Sequence, residues 1–502
     1  MGRIPYRNFI GETYTSQSPI VSPDLVYNLY PEVVETDDGK AKLVYRGTEG
    51  LSLFAPVSDG TPAGNAVPLG GLFSINGRCF AVCGVYWWEL LANGATLFRG
   101  SFAAPDTAWL IKSNGTQICI AGYTNGLGYI FTLATNLLTN ITASGFLGAA
   151  SLAQIDGYFI GLEANSQEFF ISAFGDGTSW DALDFAIEEV PDNAVALIED
   201  HNQLRILGQE QVELYYDSGA ALFPFSRYPG AWTQMGCAAA FSVAPFDNTI
   251  AWIGSDRRGG AVAYRAEGYD TPIRMSKHAI ESNWQKGPTS DAVAFTYAIE
   301  GHHFYWVTFP SSNGGLGSTW VYDTATRMWH QRARWDASTG TWNRHQATCH
   351  AYCFGKHLVG DALSGNILLL DPASYTDYLG NQVGAGITPP VRRLRRAPHI
   401  NTLGKRLYFS RFQLDLETGI TQLLDANGNS RAPLYSIRWS DDGGYQWSDE
   451  IEIPGGAIGQ SFVRVVAHQL GSGYDRVFEV STIEPIAQNW IAAYVDVKEA
   501  IR

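Results

Sequence analysis

The chain has 502 residues, 45% of them hydrophobic and 17% charged, which is room for about three domains of roughly 150 residues and far from the composition of disorder. A formal charge of −15 argues against a general nucleic-acid binder, which neutralises phosphates with Lys and Arg. No run of 18 apolar residues occurs, and Met1 to Thr15 lack an apolar core followed by a small-residue cleavage site, so we expect no membrane span and no signal peptide.

With 53 Gly, 25 Tyr, 15 Trp and only 4 Met, the residue menu favours short strands and tight turns, and the expected class is all-β. Residues 1–55 hold no repeat unit. Within them, Ser16 to Glu35 (SQSPIVSPDLVYNLYPEVVE) reads as an extended arm punctuated by Pro.

From about residue 56 a period emerges. Turn signals stand at Asn76-Gly77, Asn114-Gly115, Asp156-Gly157, His201-Asn202, Asp247-Asn248, Glu300-Gly301 and Phe354-Gly355, spaced by 38, 42, 45, 46, 53 and 54 residues. Each lies between strand-like runs, such as RCFAVCG after Gly77 and TQICIAG after Gly115, and a further apolar strand follows in every unit. Three or four short strands recurring in this way predict a β-propeller of six or seven blades over residues 56–380, each blade packing only on its neighbours. A pair of β-sandwiches is the competing architecture. Gly384 to Pro390 reads as a linker, and 381–502 as a β-rich extension, either a sandwich-like domain or strands completing the ring.

Four clusters invite chemistry. Ser440, Asp442, Gly444 and Trp447 fit the Asp-box pattern S-x-D-x-G-x-x-W, a hairpin device in which the carboxylate caps its own turn. Sialidases carry such boxes away from the catalytic site, and Gly2-Arg3-Ile4-Pro5 is similar to their RIP element. His345, Cys349, His350, Cys353 and His357 are the densest set of potential metal ligands, but strand residues four apart lie about 13 Å from each other, too far to share one zinc. Cys79 and Cys83 fail by the same geometry, and most of the six cysteines, which include Cys119 and Cys237, are expected as small buried hydrophobes. His302 and His303 have no accompanying nucleophile or carboxylate motif, and no phosphate-loop, nucleophile-elbow or zincin motif occurs. We therefore expect no catalytic residue, no cofactor and no metal. Arg392, Arg393, Arg395 and Arg396 form the one strong basic cluster, read either as a contact for an acidic partner or as a salt-bridged face.

Read in order, several stretches carry a family resemblance: Tyr27 to Glu32 (YNLYPE), Ser113 to Ile120, Phe185 to Asp192 (FAIEEVPD), Leu204 to Phe225, Met235 to Ala238, Gly301 to Tyr305 with Thr308 to Pro310, Thr319 to Asp323, and Trp329 to Arg332. The chain resembles the packaged-DNA stabilisation proteins of short-tailed bacteriophages, which form the tail nozzle or hub. The similarity runs through about residues 20–335, weakens over 336–400 and returns at Leu414 to Gly419 and Asp475 to Glu479.

The resemblance implies a β-propeller core and a non-enzymatic virion protein, made in the bacterial host cytoplasm and built into the tail as a sixfold ring. Its implied partners are further copies of itself, the portal-adaptor (head-to-tail connector) protein, and tail needle, spike or fibre proteins. Packaged DNA would pass through the lumen without sequence-specific binding, and a net acidic wall suits that passage. The alternative is a sialidase-like or glycan-binding propeller of the tail, motivated by the Asp-box and the blades.

Overall fold

A computed structural model describes residues 2–35, 41–60, 66–188, 192–221, 223–255, 260–380, 386–461 and 463–500. Residues 189–191 and Leu222, within two of the resembling stretches, and Gly384 and Ala385, in the expected linker, lie outside the described residues.

All seven turn signals mark hairpins between consecutive antiparallel strands. At most of them both turn residues take positive φ, as at Asn76 and Gly77 (50° and 74°) or Asp156 and Gly157 (48° and 91°), the geometry of a two-residue hairpin turn. The seven sheets follow one another as blades 1 to 7, at 69–101, 109–140, 151–187, 194–233, 236–274, 293–336 and 347–371. The first strand of blade 7, Ala347–Cys353, lies against that of blade 1, Leu69–Ile75, which closes the ring.

The packing explains why these strands read as unbroken apolar runs. In Arg78–Cys83, the side chains of Cys79, Ala81 and Cys83 enter the core shared with blade 7, while Phe80 and Val82 enter the core shared with blade 2. Both faces of a blade are covered, so alternation of apolar and polar residues is lost. Among the described residues, one apolar cluster fills each of the seven blade-to-blade interfaces. The molecule is an all-β propeller.

Blade 7 takes its outer strand from far away: Gly50–Pro56 pairs antiparallel with Asn366–Asp371. The N-terminal segment thus completes the ring, and the C-terminal strands do not. One short helix, His278–Trp284, stands between blades 5 and 6 and buries Ile280 and Trp284 in their shared core. At seven residues it is too short to show a helical period in the sequence.

The remaining strands build a second body from both chain ends. Gly2–Pro5 pairs with Asn489–Glu499, which also pairs with Leu407–Leu416 and with Leu43–Gly47 of the hairpin Leu29–Val33/Leu43–Gly47. The facing sheet runs from Pro23–Tyr27 through Arg393–Arg396 and Asp475–Thr482 to Leu434–Ser440. Between them lies a core that includes Phe9, Phe412, Phe478 and Trp490. Pro23–Tyr27 also meets the last strand of blade 6 in parallel, Tyr27 opposite Gln331, so one sheet runs from the ring into the sandwich.

Candidate functional site

The arginine strand is where ring, sandwich and arm meet. The expectation of a partner-contact patch is corrected for Arg393 and Arg395, both of which are 0% exposed. Arg395 donates from Nε to the Phe9 carbonyl (2.7 Å) and from Nη2 to the Asn8 carbonyl (2.9 Å) and Asp24 Oδ1 (2.7 Å). Arg393 donates to the Thr48 carbonyl at 3.0 Å, and burial pulls its pKa down to about 10. Asp377, buried near it, is pushed up to about 7 by burial against the pull of that guanidinium.

On the opposite face of the strand, Arg392 lies over the Trp335 ring at 4.2 Å, and Arg396 donates to Glu479 at 2.9 Å. Arg395 lies opposite Val480, a residue of the sandwich core, so alternation along this central strand turns Arg393 and Arg395 into the interior and leaves Arg392 and Arg396 on the other, half-buried face. The signal for this was present in the sequence: Val391, Leu394 and Ala397 interleave the arginines, and all three are buried.

The Asp-box lies in the sandwich, not in a blade. Ser440 Oγ donates to Asp442 Oδ1 (2.6 Å), which accepts the N–H groups of Tyr445 (3.0 Å) and Gln446 (2.9 Å), and Trp447 Nε1 donates to the Gly444 carbonyl (3.0 Å). The Gln446 N–H, then the Ser440 hydroxyl, hold the Asp442 carboxyl below the usual range. Gly444 has φ 101°, which requires glycine. Trp447 lies between Arg396 of the cluster, 4.8 Å from its ring, and Arg438 of Leu434–Ser440, at 4.9 Å, and both arginines pair with Glu479. The two motifs singled out separately in the sequence therefore touch. The RIP segment is likewise a sandwich strand, with Arg3 over the Tyr494 ring at 4.1 Å.

The histidine-cysteine set is divided among environments. Cys349 and Cys353 pack with Cys79 in the core between blades 7 and 1, whereas His345 packs on Trp306 in the core between blades 6 and 7. His350 Nε2 and His357 Nδ1 face each other at 3.0 Å beside Tyr297. Burial pushes the Cys349 thiol up to about 11 and both His345 and His350 down to about 3.

Sequence reasoning missed the centre of this region. Arg332, 1% exposed, pairs with Glu49 at 2.8 Å, donates to the Tyr297 hydroxyl at 2.5 Å and lies over the Trp306 ring at 4.9 Å. Tyr297 in turn donates to Glu49 at 2.6 Å. Against the burial that would raise it, the Arg332 guanidinium holds Glu49 below the usual carboxylate range. His302 meets Asp323 at 2.9 Å, and His330 is fully buried, with burial holding it neutral. Because Glu49 sits where the chain leaves the sandwich for the ring, this network ties that crossover to blade 6.

Arg332, Glu49 and Tyr297 are spent on one another, an arrangement that ties the two bodies together. The class so defined is a rigid propeller scaffold clamped to a sandwich. The family whose model matches is described as bacteriophage P22 Gp10, beta-propeller, and the match spans residues 11–375. The chain belongs to this phage-stabilisation family, a family of structural phage proteins.

No curated protein matches the chain. Among solved structures, it is similar to the extracellular domain of a B. thetaiotaomicron hybrid two component system (8% identity, TM-score 0.43), covering 80% of this chain and 47% of that one. It thus spans about half the length of that structure. It is also similar to the Neurospora crassa Pan2 WD40 domain (8%, TM-score 0.41, 64% of this chain and 95% of that) and to the WD40 beta propeller domain of Doa1 (10%, 0.40, 64% and 98%).

Proposed function

We propose that this protein is the tail nozzle, or hub, of a short-tailed bacteriophage. It assembles as a homohexamer below the portal and its adaptor, meets needle, spike or fibre proteins distally, retains packaged DNA and forms the ejection channel. The observation that carries the reading is membership of the phage-stabilisation family over residues 11–375. A ring with an apolar core at every interface suits a particle under internal DNA pressure, since close-packed cores have low compressibility. The net charge of −15 favours passage of DNA without adhesion.

In this reading the protein is no enzyme, resides in the virion tail after synthesis in the host cytoplasm, and uses three functional regions: the arm (1–55), whose last strand, Gly50–Pro56, is lent to blade 7, the propeller (56–380) and the C-terminal β-rich domain (381–502). Arm and C-terminal domain act as one clamp. The test is genetic: particles assembled without the protein package DNA and then leak it. Stable, DNA-full particles lacking the protein would contradict the proposal.

A further inference from the structure

A cleft of about 1100 Å³ opens between the blade 6 turn, Glu300 and Gly301, and the near end of the sandwich. Its sandwich wall is the hairpin Leu29–Val33/Leu43–Gly47 together with Leu416 to Thr418, Asn489 and Ile491. Three features of this wall act together. Leu29–Val33 is the edge strand of its sheet. Because Val34 donates to the Lys42 carbonyl, the alternation of an antiparallel ladder turns the N–H and C=O of Val33 away from the hairpin partner.

Val33, Val34, Val44, Leu416, Ile420 and Ile491 supply apolar surface among polar lining residues, and Val33 is 42% and Ile420 49% exposed. Glu32, Glu35, Glu300 and Glu417 stand around it against one described basic side chain, Arg46, which is already engaged by Glu32 and, at 3.4 Å, by Glu300.

We propose that this cleft is a docking site for an extended segment of another polypeptide in which Lys or Arg alternates with β-branched apolar residues. The period of two would set the segment's apolar side chains on the face of Val33 and its cations on the opposite face, that of Glu32, while its backbone meets the outward groups of Val33. The charge of the cleft selects such a segment and excludes an acidic one. A second copy of this chain is a poor occupant, since its own basic run, Arg392 to Arg396, is a central strand of its sandwich. The inference needs only the cleft and stands whether or not the sixfold ring forms.

The test is fluorescence anisotropy with a labelled seven-residue Lys/Val alternating peptide, beside Glu/Val and Lys/Ser counterparts, on the full chain. We expect saturable, salt-sensitive binding of the Lys/Val peptide alone. The double variant Glu35→Lys/Glu300→Lys, with wild-type thermal unfolding, should weaken it at least about tenfold. Glu267→Lys/Asp270→Lys, the same charge change on the exposed outer hairpin of blade 5, should leave it unaltered. No saturable binding, equal binding of the Lys/Ser peptide, or equal loss in the blade 5 variant would each overturn the proposal.

Discussion

The ring and the clamp are held by opposite physics. Away from the ring closure and the blade 6/7 core, blade interfaces are apolar and assembled from neighbours in sequence, as in the core shared by Ile160, Leu162 and Phe169 of blade 3 with Leu204 and Ile206 of blade 4. The junction is ionic and aromatic, and its partners lie far apart along the chain: Arg395 reaches back 387 residues to Asn8, and Arg332 pairs with Glu49. Apolar packing tolerates a lost methylene with a graded cost, whereas a buried ion that loses its partner retains an uncompensated charge. The ring is therefore built for stiffness. The junction is built to fix one arrangement of two bodies.

The sharpest way to break this contrast is Glu49→Ala, which strands Arg332 inside the core. We expect a loss of about 3–5 kcal/mol in chemical denaturation, with hydrogen exchange rising first at 391–397 and in blade 6. A smaller cost would mean that Tyr297 and the aromatic rings suffice for that guanidinium. In the ring, Leu162→Ala should cost about 2–4 kcal/mol, with exchange rising in blades 3 and 4 together and the junction little changed.

Acid should act on the core between blades 6 and 7 before the other blade interfaces. Burial holds folded His345 and His350 at about 3, while the unfolded chain titrates near 6.5, so below that pH the unfolded state binds more protons. Their contribution is complete above about pH 6.5 and is lost as pH falls toward 3, by up to ~1.4 kcal/mol per pH unit for each histidine. A His345→Gln/His350→Gln variant should show a flatter stability profile between pH 6 and 4. The smallest effect expected is from Asp442→Ala, a slight loss in thermal unfolding with faster hydrogen exchange confined to the hairpin around Trp447, because the lost bonds belong to an exposed turn.

What was legible in the sequence follows the same divide. Hairpin chemistry is local, so Asn76-Gly77 through Phe354-Gly355 revealed the blades and their order, and unbroken apolar runs reported strands covered on both faces. The outer strand of blade 7 was not legible, because nothing in Gly50–Pro56 reveals a partner more than 300 residues away. Arg393 and Arg395 read as surface for a related reason: charge is visible in a sequence, but the carbonyls of Asn8, Phe9 and Thr48 that receive it are not. Likewise, the Asp-box was recognisable as a turn, and only the fold shows that its Trp447 is held between Arg396 and Arg438.

The most direct test of the account is cryo-electron microscopy of the tail assembly from intact virions, with the chain traced into the map. The account predicts six copies in a ring beneath the portal and adaptor, DNA on the axis, and each copy showing the seven-bladed ring clamped to a sandwich made from both chain ends. A peripheral monomer, or a trimeric spike remote from the channel, would contradict it.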